Sequence, residues 1–127
     1  MKHVRWFSLE PSANGPGFHL VIAKDTGELR RFWMNGVTLN LMAARIRVAS
    51  PQWNGDGRHE TPKQGFRPAE IEERNVVVSV HVEADDDALR LSLESERGAD
   101  RSEWTAAQGL ALLRSIEAAL AAAGAAR

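Results

Sequence analysis

Apolar residues recur along this chain with two periods, and the change from one to the other sets the expected elements. A period of two, the mark of a strand with one buried face, runs through several short segments. Residues 4–9 form an aromatic and branched run that ends in the turn-rich Pro11-Ser12-Ala13-Asn14-Gly15-Pro16-Gly17. In 18–24, Phe18, Leu20 and Ile22 share one face and His19, Val21 and Ala23 the other. Asp25-Thr26-Gly27 then predicts a tight connection into a third strand over 28–34.

Asn35-Gly36 follows directly, between Phe32-Trp33-Met34 and Val37-Thr38-Leu39. Asn-Gly suits the positive φ values of a type I′ turn, so the pattern predicts a hairpin and a fourth strand. Val37, Leu39 and Leu41 alternate at first; Ala44, Ile46 and Val48 then carry the apolar positions. A bulge near Met42-Ala43 would account for that slip, and a short helix over 39–45 is the alternative. Further on, 75–83 predicts a strand with Val76, Val78, Val80 and Val82 on one face. Asp85-Asp86-Asp87 turns the chain into a partner carrying Leu89, Leu91 and Leu93.

The period changes near the C-terminus. Gly109, Leu112, Leu113, Ile116 and Leu120 stand at helical spacing. Asp100 with Glu103 has capping-box spacing, so the helix is expected to begin at Asp100 or Ser102. Gly109 within the stripe predicts close approach of the helix to the sheet. Strands in series followed by a helix give the α+β class. The expected fold is a mostly antiparallel, hairpin-rich sheet of five to six strands, packed on one face by a C-terminal amphipathic helix. One domain over 1–127 is expected, with a long Pro/Gly-rich loop at 51–68 and no internal repeat.

Composition narrows the chemistry. The chain has no cysteine, which excludes disulfides, thiolate nucleophiles and Cys-based zinc sites. No stretch nears the ~20 apolar residues that cross a bilayer, and the N-terminus lacks the apolar run of a signal peptide. A cytoplasmic protein without membrane contact is therefore expected. Net charge is −1, but residues 1–67 carry a balance of +5 and residues 68–127 one of −6. Seven of the eight aromatics lie in the basic part. Such a split suits either an anion-binding face or basic and acidic strands paired within one sheet.

The 51–68 loop gathers Trp53, Arg58, His59, Lys63, Phe66 and Arg67, aromatic and cationic groups able to stack on rings or grip phosphates and carboxylates. It is the expected ligand-binding segment; the competing reading has Trp53 and Phe66 pinning a connector to the core. On the third strand, Arg30, Arg31 and Trp33 would serve a single-stranded nucleic acid if they lay on an exposed face. Alternation pairs Arg30 with Phe32 and Arg31 with Trp33, so only one pair can be exposed over a buried face. His59-Glu60 lacks a nucleophile, and no GxGxxG, Walker, HExxH or GxSxG pattern occurs. No catalytic residue, metal ligand or cofactor is therefore expected. Ala111, Ala118, Ala119 and Ala122 line a second helix face that would admit another helix, such as that of a second copy. The leading expectation is a non-enzymatic binding or interaction module with a protein partner or self-association. A single-stranded nucleic-acid binder is the first alternative, and a small enzyme with its site under the 51–68 loop is the second.

Overall fold

The computed structural model describes residues 2–12, 16–50, 53 and 75–125. Most of the long loop therefore lies outside the described residues. Three strands open the chain: β1 (Lys2–Pro11), β2 (Phe18–Lys24) and β3 (Leu29–Met34). They form an antiparallel meander, with Leu9 opposite Leu20 and Leu20 opposite Phe32. Asp25-Thr26-Gly27 makes the expected turn: Gly27 takes φ +92°, and the Lys24 amide donates to the Glu28 carbonyl at 2.8 Å. β2 is the middle strand and is buried along its whole length. Its Phe18, Leu20 and Ile22 belong to the main core.

Asn35-Gly36 does not make a hairpin. It opens a helix, α1 (Gly36–Ala49), in place of the predicted fourth strand. Asn35 has an extended conformation at φ −79° and ψ 172°, and its side-chain oxygen accepts from the Thr38 amide at 2.8 Å. That is the work of an N-cap residue, a role for which Asn is as well suited as for a turn. The register slip near Met42-Ala43 was the helical period itself: Leu39, Met42, Ala43 and Ile46 recur at i, i+3, i+4 and i+7, and all four are fully buried. Burying the Leu, Met and Ile side chains contributes roughly 5–9 kcal/mol before entropy. Ser50 ends the helix, its amide and hydroxyl both donating to the Ile46 carbonyl.

The second half repeats the order of the first: β4 (Val77–Ala84), β5 (Ala88–Ser95), β6 (Gly98–Thr105) and α2 (Ala106–Ala125). A bulge between Val77 and Ser79 alters the expected facing of β4: Val77 and Val80 point inward, while Val78 is exposed. On β5, Leu89, Leu91 and Leu93 are buried as the alternation requires. β6 replaces the predicted helix start. Asp100, Ser102 and Trp104 alternate inward, and Trp104 donates from its indole to Ser102 Oγ at 2.8 Å. The capping box sits five residues later than expected: the Gln108 amide donates to Thr105 Oγ1, and the Thr105 amide to Gln108 Oε1.

α2 then buries Gly109, Leu112 and Ile116, with Leu113 and Leu120 packed partly against the core. Gly109 lies close to the sheet as predicted, since a Cβ there would stand 3.3 Å from Leu89 and 2.6 Å from the Trp53 ring. The alanine face is divided. Ala111 is buried and Ala119 packs on the core, whereas Ala118 and Ala122 are exposed. α1 lies against α2 within the chain, with Arg47 3.6 Å from Glu117.

All six strands form one sheet in the order β3-β2-β1-β6-β5-β4. The two meanders meet where β1 runs parallel to β6, with Lys2 opposite Ser102. At the far side, a parallel bridge joins Trp33 to Val76, and the Trp33 amide donates to the Asn75 carbonyl at 2.9 Å. The outer strands are thus brought together at one point, and the sheet comes close to closing on itself. The fold is α+β with a mostly antiparallel sheet and a C-terminal helix, as the patterning predicts, plus α1, where the pattern favours a strand and a short helix over 39–45 is the alternative.

Candidate anion-binding site

The seam between β3 and the segment leading into β4 is where charge collects. Asp100 is the anchor. Its place on β6 turns it inward opposite Leu93, and its carboxylate is 8% exposed. Lys24, at the inward-facing end of β2, is 1% exposed and reaches both carboxylate oxygens at 3.2 Å. Its ammonium also donates to the Arg101 carbonyl at 3.1 Å. Arg30 on β3 brings its Nε to 3.6 Å from Asp100 Oδ1. A buried carboxylate shared by two cations draws both toward it, and removal of Asp100 would leave the buried Lys24 charge uncompensated.

Beside this cluster lies an open cavity of about 220 Å³ lined by Leu29, Arg30, Arg31, Asn75 and Arg97. Each lining residue is positioned by a different local rule. Arg30 and Arg31 are successive strand residues and so leave β3 on opposite sides. Arg97 sits in the Glu96-Arg97 turn between β5 and β6, which Gly98 closes at φ +107°. Asn75 is 6% exposed and ties the seam together, donating from Nδ2 to the Arg31 carbonyl at 3.2 Å. Its Oδ1 is buried, and among the described residues no donor reaches it. The Val76 carbonyl accepts from the Glu96 amide at 3.3 Å, which fixes the turn against the seam.

Lys24 and Arg30 share the Asp100 carboxylate, and Arg30 also lines the adjoining cavity with Arg31 and Arg97. Glu96, next to Arg97 in sequence, does not line the cavity. Guanidinium groups present planar forks of N–H donors that match carboxylate and phosphate oxygens. The arrangement can therefore hold an anion. The described lining residues supply positive charge and hydrogen-bond donors.

The sequence candidates fall in several places. Arg30 and Arg31 both reach the cavity, from opposite sides of their strand. Trp33 is half-buried with its ring against Gly17, where a Cβ would fall 2.3 Å from the indole. Trp53 is also half-buried, packed on the core and over Gly109, which matches the pinning role weighed for it. Arg58, His59, Lys63, Phe66 and Arg67 lie outside the described residues. His19 is buried, whereas His3 and His81 are exposed; His81 Nε2 stands 3.2 Å from Glu83 on the polar outer face of β4.

Sequence reasoning missed Lys24, Asn75, Arg97 and Asp100 as parts of a site. Asp100 had an outward role as a helix cap, and the inward alternation of Asp100, Ser102 and Trp104 was the signal that could have corrected it. Among the described residues no group of three or more His, Asp or Glu side chains is arranged to hold a metal ion, and no helix is long and apolar enough to cross a membrane. No protein-family profile matches the chain, and no curated protein is significantly similar to it.

Proposed function

We propose that this protein is a non-enzymatic binding module that takes a small anionic ligand at the seam between β3, Asn75 and the β5–β6 turn. The observation that carries this reading is the convergence of Arg30, Arg31 and Arg97 on one cavity where, among the described residues, no carboxylate is part of the lining. Asp100 supports it from behind, its Oδ1 3.6 Å from the Arg30 Nε. A cavity of about 220 Å³ is below the range of drug-sized pockets and suits a compact ligand or one end of a larger one. The described lining of Arg, Asn and Leu supports binding, since these side chains grip an anion through charge and hydrogen bonds.

Isothermal titration calorimetry with inorganic phosphate, sulfate and citrate at low salt tests the reading. Saturable binding is expected, weakened roughly tenfold or more in Arg31→Ala and in Arg97→Ala, the effect of losing a charge-assisted hydrogen bond. Thermal shifts alone would mislead, because phosphate and sulfate stabilise folded proteins by exclusion. No heat beyond dilution, or equal binding by both variants, would overturn the proposal. A single-stranded oligonucleotide included as a competitor separates an isolated anion site from one that takes polymeric phosphates: displacement with a steep salt dependence would favour the nucleic-acid alternative instead.

A further inference from the structure

The helix α1 is apolar on two opposite sides. Leu39, Met42, Ala43 and Ile46 face the core. At helical pitch, Val37, Leu41, Ala44 and Val48 form a second stripe on the far side. That stripe points outward: Val37 and Val48 are 80% and 81% exposed, Leu41 is 44% exposed and Ala44 is half-buried. Single apolar residues on a surface need no explanation, but four in line along one helix mark an interaction face. The C-terminal part of the stripe borders an open cavity of about 380 Å³ lined by Ala44, Arg45, Val48, Ala49 and Val82. The apolar surface therefore continues from α1 onto β4.

The stripe is built to meet itself. Its steps of four, three and four residues are those of a heptad seam and read the same from either end. Against an antiparallel copy, Val37 stands opposite Val48, and Leu41 opposite Ala44, which sets a large side chain against a small one at the centre. The same register puts Arg45 opposite Asn40 and Arg47 opposite Thr38. A parallel register would instead set each arginine against its own copy, and α1 has no acidic residue to relieve that repulsion. From this complementarity we infer that the protein forms a two-fold symmetric dimer through α1, the outward stripes of two copies packing antiparallel. Each copy's Val37 then seats at the other's Val48, beside the cavity that reaches Val82. A helix of 14 residues is only about 21 Å long, so the contact is smaller than the roughly 800 Å² per partner of a standard interface. The dimer is accordingly weak, with a dissociation constant on the order of 100 µM.

Sedimentation equilibrium on the intact chain tests this, at loadings from about 10 µM to about 1 mM that bracket such an affinity. The weight-average mass should climb from the 14.0 kDa of one chain toward twice that value. A mass that stays at 14.0 kDa throughout overturns the dimer. Val48→Lys changes an exposed residue of the last helical turn and should weaken association about tenfold or more, because it presses a charge against the partner's apolar stripe. Val37→Glu combined with Val48→Lys tests the register. In the antiparallel dimer each new glutamate meets the partner's new lysine at both ends of the seam, so the double variant should associate at least about threefold more tightly than Val48→Lys alone. In a parallel dimer the same changes oppose like charges, and a double variant no tighter than the single one overturns the antiparallel arrangement. Ala122→Lys, on the exposed face of α2, should associate as the wild type does. Dissociation by Ala122→Lys, or undiminished association of Val48→Lys, would place the contact elsewhere and overturn the role of α1. Circular dichroism of each variant separates a lost contact from a lost fold.

Discussion

Lys24 shows how one residue can be read correctly for its element and wrongly for its task. As the last residue of an alternating strand it has the profile of a solvated end, yet it is among the most buried side chains of the protein. Its ammonium meets Asp100 and the Arg101 carbonyl. A pair this enclosed loses most of its Coulomb gain to desolvation, so its net contribution is modest while the cost of breaking it is large. Lys24→Met should therefore lower stability by about 3–5 kcal/mol, whereas Lys24→Met with Asp100→Leu should be markedly less harmful than Lys24→Met alone. Urea denaturation of the two variants measures the difference. If the double variant is the less stable of the two, the pair stabilises through more than mutual compensation.

At the scale of elements, two local rules compete for the same residues. Asn-Gly satisfies both a type I′ turn and a helix start, and the decision lies downstream, in whether apolar residues recur at two or at three and four. Leu39, Met42, Ala43 and Ile46 answer that question. The N-cap is a discrete contribution: Asn35→Ala should cost about 0.5–2 kcal/mol and Asn35→Gly only a few tenths, as chemical denaturation would show. Were the segment a hairpin, Asn35→Gly would be neutral and Asn35→Ala strained, with strand rather than helix content lost in the far-ultraviolet spectrum.

The β4–β5 connection gives a pH-dependent case. Asp85 accepts from the Asp87 and Ala88 amides and from Arg90. The Asp87 amide above all, then Arg90, hold its carboxyl below the ordinary aspartate value. A pKa depressed by folding means stability that is present above the unfolded value and lost as pH falls through the folded one. Thermal unfolding of the wild type and of Asp85→Ala should differ at pH 7 and converge in acid. A gap that widened toward low pH would contradict that assignment.

For the whole molecule, what could be read from sequence was whatever depends on short-range repetition. The strand alternations of 18–24 and 88–95 and the helical stripe from Gly109 to Leu120 follow from residues a few positions apart, and the α+β class follows from them. The cavity depends on residues far apart in sequence. Arg30 and Arg31 could be noticed as a basic pair, but Asn75 and Arg97 acquire meaning only where the seam brings three segments together. The repeated order of three strands and a helix was hidden for a different reason: with α1 read as a strand, the halves did not look alike. The charge split also has a partial structural account, since Lys24 and Arg30 from the basic half meet Asp100 from the acidic half inside the protein.

The parallel junction of β1 with β6 pairs Lys2 and His3 with Ser102 and Glu103, nearly the full chain apart. A ribosome therefore releases the first meander long before the strand that completes its outer edge has been made. Until then β1 is an open edge next to an apolar face, the state in which unpaired strands find wrong partners. Non-local pairing of this kind also slows folding, so the time spent in that exposed state is set by topology. The burden falls on β1 itself, whose Lys2, Arg5 and Glu10 place exposed charges along its length and oppose the pairing of one nascent chain with another.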